Sequence, residues 1–90
     1  MIPTDKTELF DNALLKILDA NNTPWGLQAQ ALCMFSRELG FTPAAAEAVG
    51  RLEYLTAKGM AQEVAKVLGK ANRCWKITDA GRRHLDEQGF

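Results

Sequence analysis

The stretch LGFTPAAAEAVGRLEYLTAKGMAQEVAKVLGKANRCWKITDAG, residues 39–81, decides the fold. Gly40-Phe41-Thr42-Pro43 reads as a tight turn, with Thr42 suited to cap the following helix and Pro43 pre-set for its first position. Ala45, Ala48, Val49, Leu52 and Leu55 recur at three- and four-residue steps, so they share one buried helix face until Gly59 stops the run. Two short strand-like runs follow, Met60 to Leu68 and Arg73 to Ile77, separated by Gly69-Lys70-Ala71-Asn72. In the second run Trp75 and Ile77 share a face and should point inward, leaving Cys74 and Lys76 outward. Thr78-Asp79 then caps a last helix containing Leu85. The order is helix, turn, helix, β-hairpin, helix.

Outward from this stretch, Asp5 and Glu8 have capping-box spacing, and the helix they open carries Leu9, Phe10, Ala13, Leu14, Ile17 and Leu18 on one side. Leu15 falls off that stripe, beside Glu8, Asp11 and Asp19, where it would meet water or a partner. Thr23-Pro24-Trp25-Gly26 suits a short edge strand or a turn. A second helix from near Leu27 to Leu39 places Ala31, Leu32, Phe35 and Leu39 inward. Its other side, with Ala29, Cys33 and Met34, is also apolar, to be covered by Trp25 and the first helix or by another molecule.

Ninety residues with 47% hydrophobic content suffice for one small domain, taken as residues 1–90. The formal charge is zero, so the chain as a whole lacks the basic excess that marks many nucleic-acid binders. Its distribution is uneven. Before Lys58, Lys6, Lys16, Arg37 and Arg51 face seven acidic residues. From Lys58 to Arg83, seven basic residues face only Glu63 and Asp79. Met1-Ile2-Pro3-Thr4-Asp5 has no signal-peptide character and no apolar run reaches spanning length, which implies a cytoplasmic protein away from the membrane. Cys33 and Cys74 are too few for a disulfide framework or a zinc site, and both are expected to be reduced.

Leu39-Gly40-Phe41-Thr42, the run Arg51 to Leu55 with Lys58-Gly59-Met60, and Trp75-Lys76-Ile77-Thr78-Asp79-Ala80-Gly81 together resemble a winged helix-turn-helix DNA-binding domain of the MarR-like and PadR-like bacterial regulator type. The resemblance implies an α+β fold: a three-helix core over about residues 5–20, 27–39 and 43–58, a β-hairpin wing over about 60–77, and a short final helix. It also implies double-stranded DNA as partner and a role in transcription regulation. The helix at 43–58 would enter the major groove with Thr42, Ala44, Glu47, Arg51 and Tyr54, where Arg51 suits guanine and Tyr54 a phosphate. The wing, about residues 66–76, would bring Lys66, Lys70, Arg73 and Lys76 to the backbone or minor groove, with Arg82 and Arg83 beside it.

Each assignment has a plainer counterpart. Glu47 and Arg51, four apart, make a surface ion pair as readily as a base contact. Lysines on a hairpin also deter edge-to-edge aggregation. Gly50, costly inside a helix, signals close approach by the preceding helix or by a DNA backbone. Against this family's pattern, the chain has no long dimer-building helix after Leu85, which leaves Leu15 and Met34 as candidate contacts for a homodimer or a protein partner. The alternative function is a winged helix that binds protein and not DNA. His84 stands at no motif spacing from Cys33, Cys74 or Ser36, and no phosphate loop, metal cluster, cofactor motif or small-molecule site is evident, so a non-enzyme is expected.

Overall fold

A computed structural model describes residues 6–64 and 73–88. They form α1 (Lys6–Ala20), β1 (Leu27–Gln28), α2 (Ala29–Glu38), α3 (Ala45–Ala57), β2 (Ala61–Val64), β3 (Cys74–Ile77) and α4 (Asp79–Gln88). The three strands make one antiparallel sheet with β3 in the centre and β1 and β2 at its edges. The result is a small α+β domain of four helices and a three-stranded sheet, an architecture compatible with a winged helix. The expected hairpin is present as β2 and β3, and its tip at 65–72 lies outside the described residues.

Local chemistry explains the helix boundaries. At the end of α2, Gly40 takes φ +91° and its N–H bonds to the Arg37 carbonyl while that of Phe41 bonds to the Ser36 carbonyl. At the end of α3, Gly59 at φ +80° repeats the arrangement, with Gly59 N–H on Thr56 and Met60 N–H on Leu55. Both are Schellman closures that use a glycine where a Cβ would be strained. Thr78 caps α4 as expected: its hydroxyl accepts from the Gly81 N–H at 3.1 Å and donates to the Gly59 carbonyl at 2.6 Å. A Cβ on Gly81 would collide with the Met60 carbonyl, so α4 sits directly on the turn that leaves α3.

Thr42 does not cap α3. That helix begins at Ala45 with Ala44 as its N-cap residue in extended conformation, and Pro43 is buried two positions before the first helical residue. Proline disfavours helical geometry at the residue before it, which keeps Thr42 outside the helix. The early strand also lies later than expected, at Leu27–Gln28 against Trp75 and Cys74, because Thr23 to Gly26 closes a turn through the Gly26 N–H and the Thr23 carbonyl at 3.2 Å.

The core is organised on α1. Phe10, Leu14, Leu15, Ile17 and Leu18 meet Leu32 and Cys33 of α2, Ala48, Leu52 and Leu55 of α3, Ala61, Trp75 and Ile77 of the sheet, and Leu85 of α4. Leu15 is wholly buried, which corrects its reading as a surface or partner-contact residue. A helix packed against α2, α3, β3 and α4 buries several faces, so a single-stripe pattern is too narrow for it.

The rotation of α2 differs as well. Leu32, Cys33 and Ser36 face inward, while Phe35 and Leu39, expected in the core, are 36% and 51% exposed. Ser36 is tolerated inside because its hydroxyl donates to the Cys33 carbonyl at 2.9 Å. The aromatic contribution comes from Phe41, whose ring centroid lies 5.5 Å from that of Phe10. Trp25 is 69% exposed and does not cover α2.

Candidate nucleic-acid interface

Helix α3 packs Ala48, Leu52 and Leu55 inward and leaves Ala46, Glu47, Gly50, Glu53, Tyr54 and Ala57 exposed. The hairpin stands beside this exposed face. Arg73, just before β3, ties the two together: its guanidinium donates to both carboxylate oxygens of Glu63 on β2, at 3.0 and 2.8 Å, and lies 3.7 Å from Glu53 on α3. The same guanidinium sits 4.8 Å from the centroid of the buried Trp75 ring. Its hydrogen bonds to Glu63 raise its pKa above the ordinary arginine value, with Glu53 adding to the effect. An open cleft of about 290 Å³ between α3 and the hairpin is lined by Glu53, Thr56, Ala57, Glu63, Arg73 and Trp75.

Arg51 has a different role from the one its helix position suggests. Its Nε and Nη2 donate to the two carboxylate oxygens of Asp11, at 2.8 and 2.6 Å, across the forty positions that separate α3 from α1. The Asp11 side chain is 10% exposed and that of Arg51 29%, so this fork is partly withdrawn from water. A guanidinium held this way faces α1, not a base edge. Tyr54, 43% exposed, is flanked by Arg51 at 4.3 Å and Lys58 at 5.6 Å from its ring centroid.

Among the other expected contact residues, Thr42, Ala44 and Glu47 are exposed around the start of α3. Lys76 is half-buried on β3, opposite Gln62, and Arg83 is exposed on α4. Arg82 donates at 3.0 Å to both Asp19 and Asp79. Lys66 and Lys70 lie outside the described residues. The structure therefore brings Arg73 together with Glu53 of α3 and Glu63 of β2, sets Tyr54 between Arg51 and Lys58, and places Arg51 and Arg82 on carboxylates of their own.

Sequence reasoning missed the carboxylates. Asp11, Glu53 and Glu63 turn two expected contact arginines, Arg51 and Arg73, inward or sideways, and nothing local marks Asp11 as the partner of a residue forty positions on. For Glu63 the expected turn at 69–72 would set it opposite Thr78, whereas the observed register sets it opposite Trp75, two residues from Arg73. Gly50 is also clarified: a Cβ there would meet nothing within 4 Å, so the preceding helix is not what requires it.

Compared with protein-family models, with curated proteins and with solved structures, the chain matches none. Among the described residues no helix is long and apolar enough to cross a membrane, and no group of three or more potential metal-ligating side chains is assembled.

Proposed function

We propose that the chain is a winged helix-turn-helix that binds double-stranded DNA, holding it by the phosphate backbone more than by its bases, in the manner of a small transcriptional regulator or accessory factor. The observation that carries this reading is the shared exposed face of α3 and the β2–β3 hairpin, joined at Arg73. In this arrangement α3 lies in the major groove and the hairpin reaches the neighbouring backbone. With Arg51 committed to Asp11, the groove-facing side of α3 carries small residues, two carboxylates and Tyr54, a surface with little capacity for base discrimination. Affinity then comes mainly from Lys58, Lys66, Lys70, Lys76 and Arg83 through counterion release.

Fluorescence anisotropy with short duplexes of random sequence tests the reading. Binding at low salt that weakens steeply as salt rises, with little preference among sequences, is expected. Reversal of Lys66 and Lys70 together to glutamate should abolish it while the circular dichroism spectrum persists. A folded wild-type protein that ignores duplexes at low salt would sink the reading.

One observation favours protein recognition as a second reading. The side of α2 turned away from the core presents Met34, 63% exposed, with Phe35 and Leu39, and Glu47 and Glu53 face outward from α3. Clustered exposed apolar side chains mark contact surfaces. Under this reading Met34→Glu disrupts a complex or an oligomer without unfolding the domain, and DNA has no effect.

A further inference from the structure

We infer that Glu53 and Glu63 act as resident competitors for the wing arginine, occupying Arg73 in the free protein and setting how tightly the domain can hold a phosphate backbone. The inference rests on the DNA reading above and concerns the same face. Arg73 is held in a specific pose: two parallel N–H donors on the Glu63 carboxylate, the Glu53 carboxylate 3.7 Å away, and the indole of Trp75 alongside its guanidinium. A carboxylate accepting a guanidinium fork presents two oxygens in the geometry that a phosphate also offers. Glu63 thus occupies the donors that a phosphate would take.

Two carboxylates, those of Glu63 and Glu53, face the Arg73 guanidinium on this part of the α3–hairpin face. A DNA strand approaching it meets repulsion from Glu53 and Glu63 and finds the Nε–Nη2 edge of Arg73 already engaged. The side chains of Arg73 and Glu63 are 37% and 32% exposed, so water reaches the fork and the arginine can change partners at little cost. Exchange, once made, adds a phosphate contact and turns Arg73 into part of the binding surface. A wild-type protein built this way binds non-specific DNA weakly and releases it readily.

The experiment is a double-mutant cycle in duplex anisotropy, with Glu63→Gln, Arg73→Gln and the pair, each titrated over a range of salt. Glu63→Gln should bind roughly three- to tenfold more tightly at low salt, and its log affinity should fall more steeply with log salt by about 0.9, the value of one additional phosphate contact. Arg73→Gln alone should weaken binding modestly and leave the salt slope unchanged, because it removes no phosphate contact but uncovers the carboxylates of Glu53 and Glu63. In the Glu63→Gln background it should remove the steepened salt slope and most of the gain.

Additive effects, with the same gain from Glu63→Gln whether or not Arg73 is present, would overturn the competitor role and leave simple charge repulsion. A Glu63→Gln protein that binds no better than wild type would also overturn it. If neither protein binds any duplex, the DNA reading falls, and this inference with it. Glu53→Gln, which removes the longer 3.7 Å contact, gives a smaller gain of the same sign and keeps the test alive should Glu63→Gln fail to fold.

Discussion

Two arginine forks of nearly the same geometry stand on opposite sides of α3. Arg51 grips Asp11 at 2.8 and 2.6 Å, and Arg73 grips Glu63 at 3.0 and 2.8 Å. Their surroundings differ. The Asp11 side chain is 10% exposed and belongs to the central helix, whereas Glu63 is 32% exposed at a sheet edge. Distance alone would rank the two as equals. Burial makes the first a strut between α1 and α3, because an unpaired charge there is costly, and makes the second exchangeable, because water can replace either partner.

The comparison breaks most directly at Asp11. Asp11→Ala takes the carboxylate fork away from the half-buried Arg51 guanidinium and should cost about 2–3 kcal/mol in urea denaturation, below the fully buried range because Arg51 retains some solvent and its place over the Tyr54 ring. A loss near that of an ordinary surface substitution would place both forks in one class. Asn12→Ala sharpens the same contrast from the neighbouring position. Asn12 is 2% exposed and bonds His84 of α4 at 2.9 Å, so its removal should cost about 1–2 kcal/mol by the same assay.

Glu63→Gln should behave oppositely, shifting the melting temperature by no more than about 2 °C while changing DNA affinity. A large melting shift would mean that the hairpin depends on this fork as α3 depends on Asp11. An effect of the opposite sign is expected at Gly50, where nothing lies within 4 Å of an added Cβ. Gly50→Ala should stabilise α3 by about 0.5–1 kcal/mol, measured thermally, while weakening duplex binding if a DNA backbone passes close to that position.

Much of the fold was legible because it depends on local rules. Gly40 and Gly59 each mark a helix end where a left-handed residue is required, Thr78 marks a helix start, and the alternation through Trp75 and Ile77 sets the inward face of β3. Less legible was anything fixed by several neighbours at once. Leu15 looked exposed because one stripe was assumed for a helix that the fold surrounds, and α2 was read in the wrong rotation because Ser36 can be buried once it bonds the Cys33 carbonyl. The candidate site shows the same division. That Tyr54 is exposed on α3 and that Arg73 adjoins β3 follow from position, but the electrostatic setting of Arg73 depends on Glu53 and Glu63, and the fate of Arg51 depends on Asp11 in a distant helix. Long-range ion pairing has no period in the sequence.

The most direct test of the central claim is a chemical-shift titration of isotopically labelled protein with a short random duplex, at low salt and again at higher salt. The account predicts salt-sensitive shifts from Ala46 to Lys58 and from Arg73 to Lys76, with the side-chain Nε signal of Arg51 staying at its Asp11-bound position. An unchanged spectrum at low salt, or shifts gathered instead on Met34, Phe35 and Leu39, would contradict it.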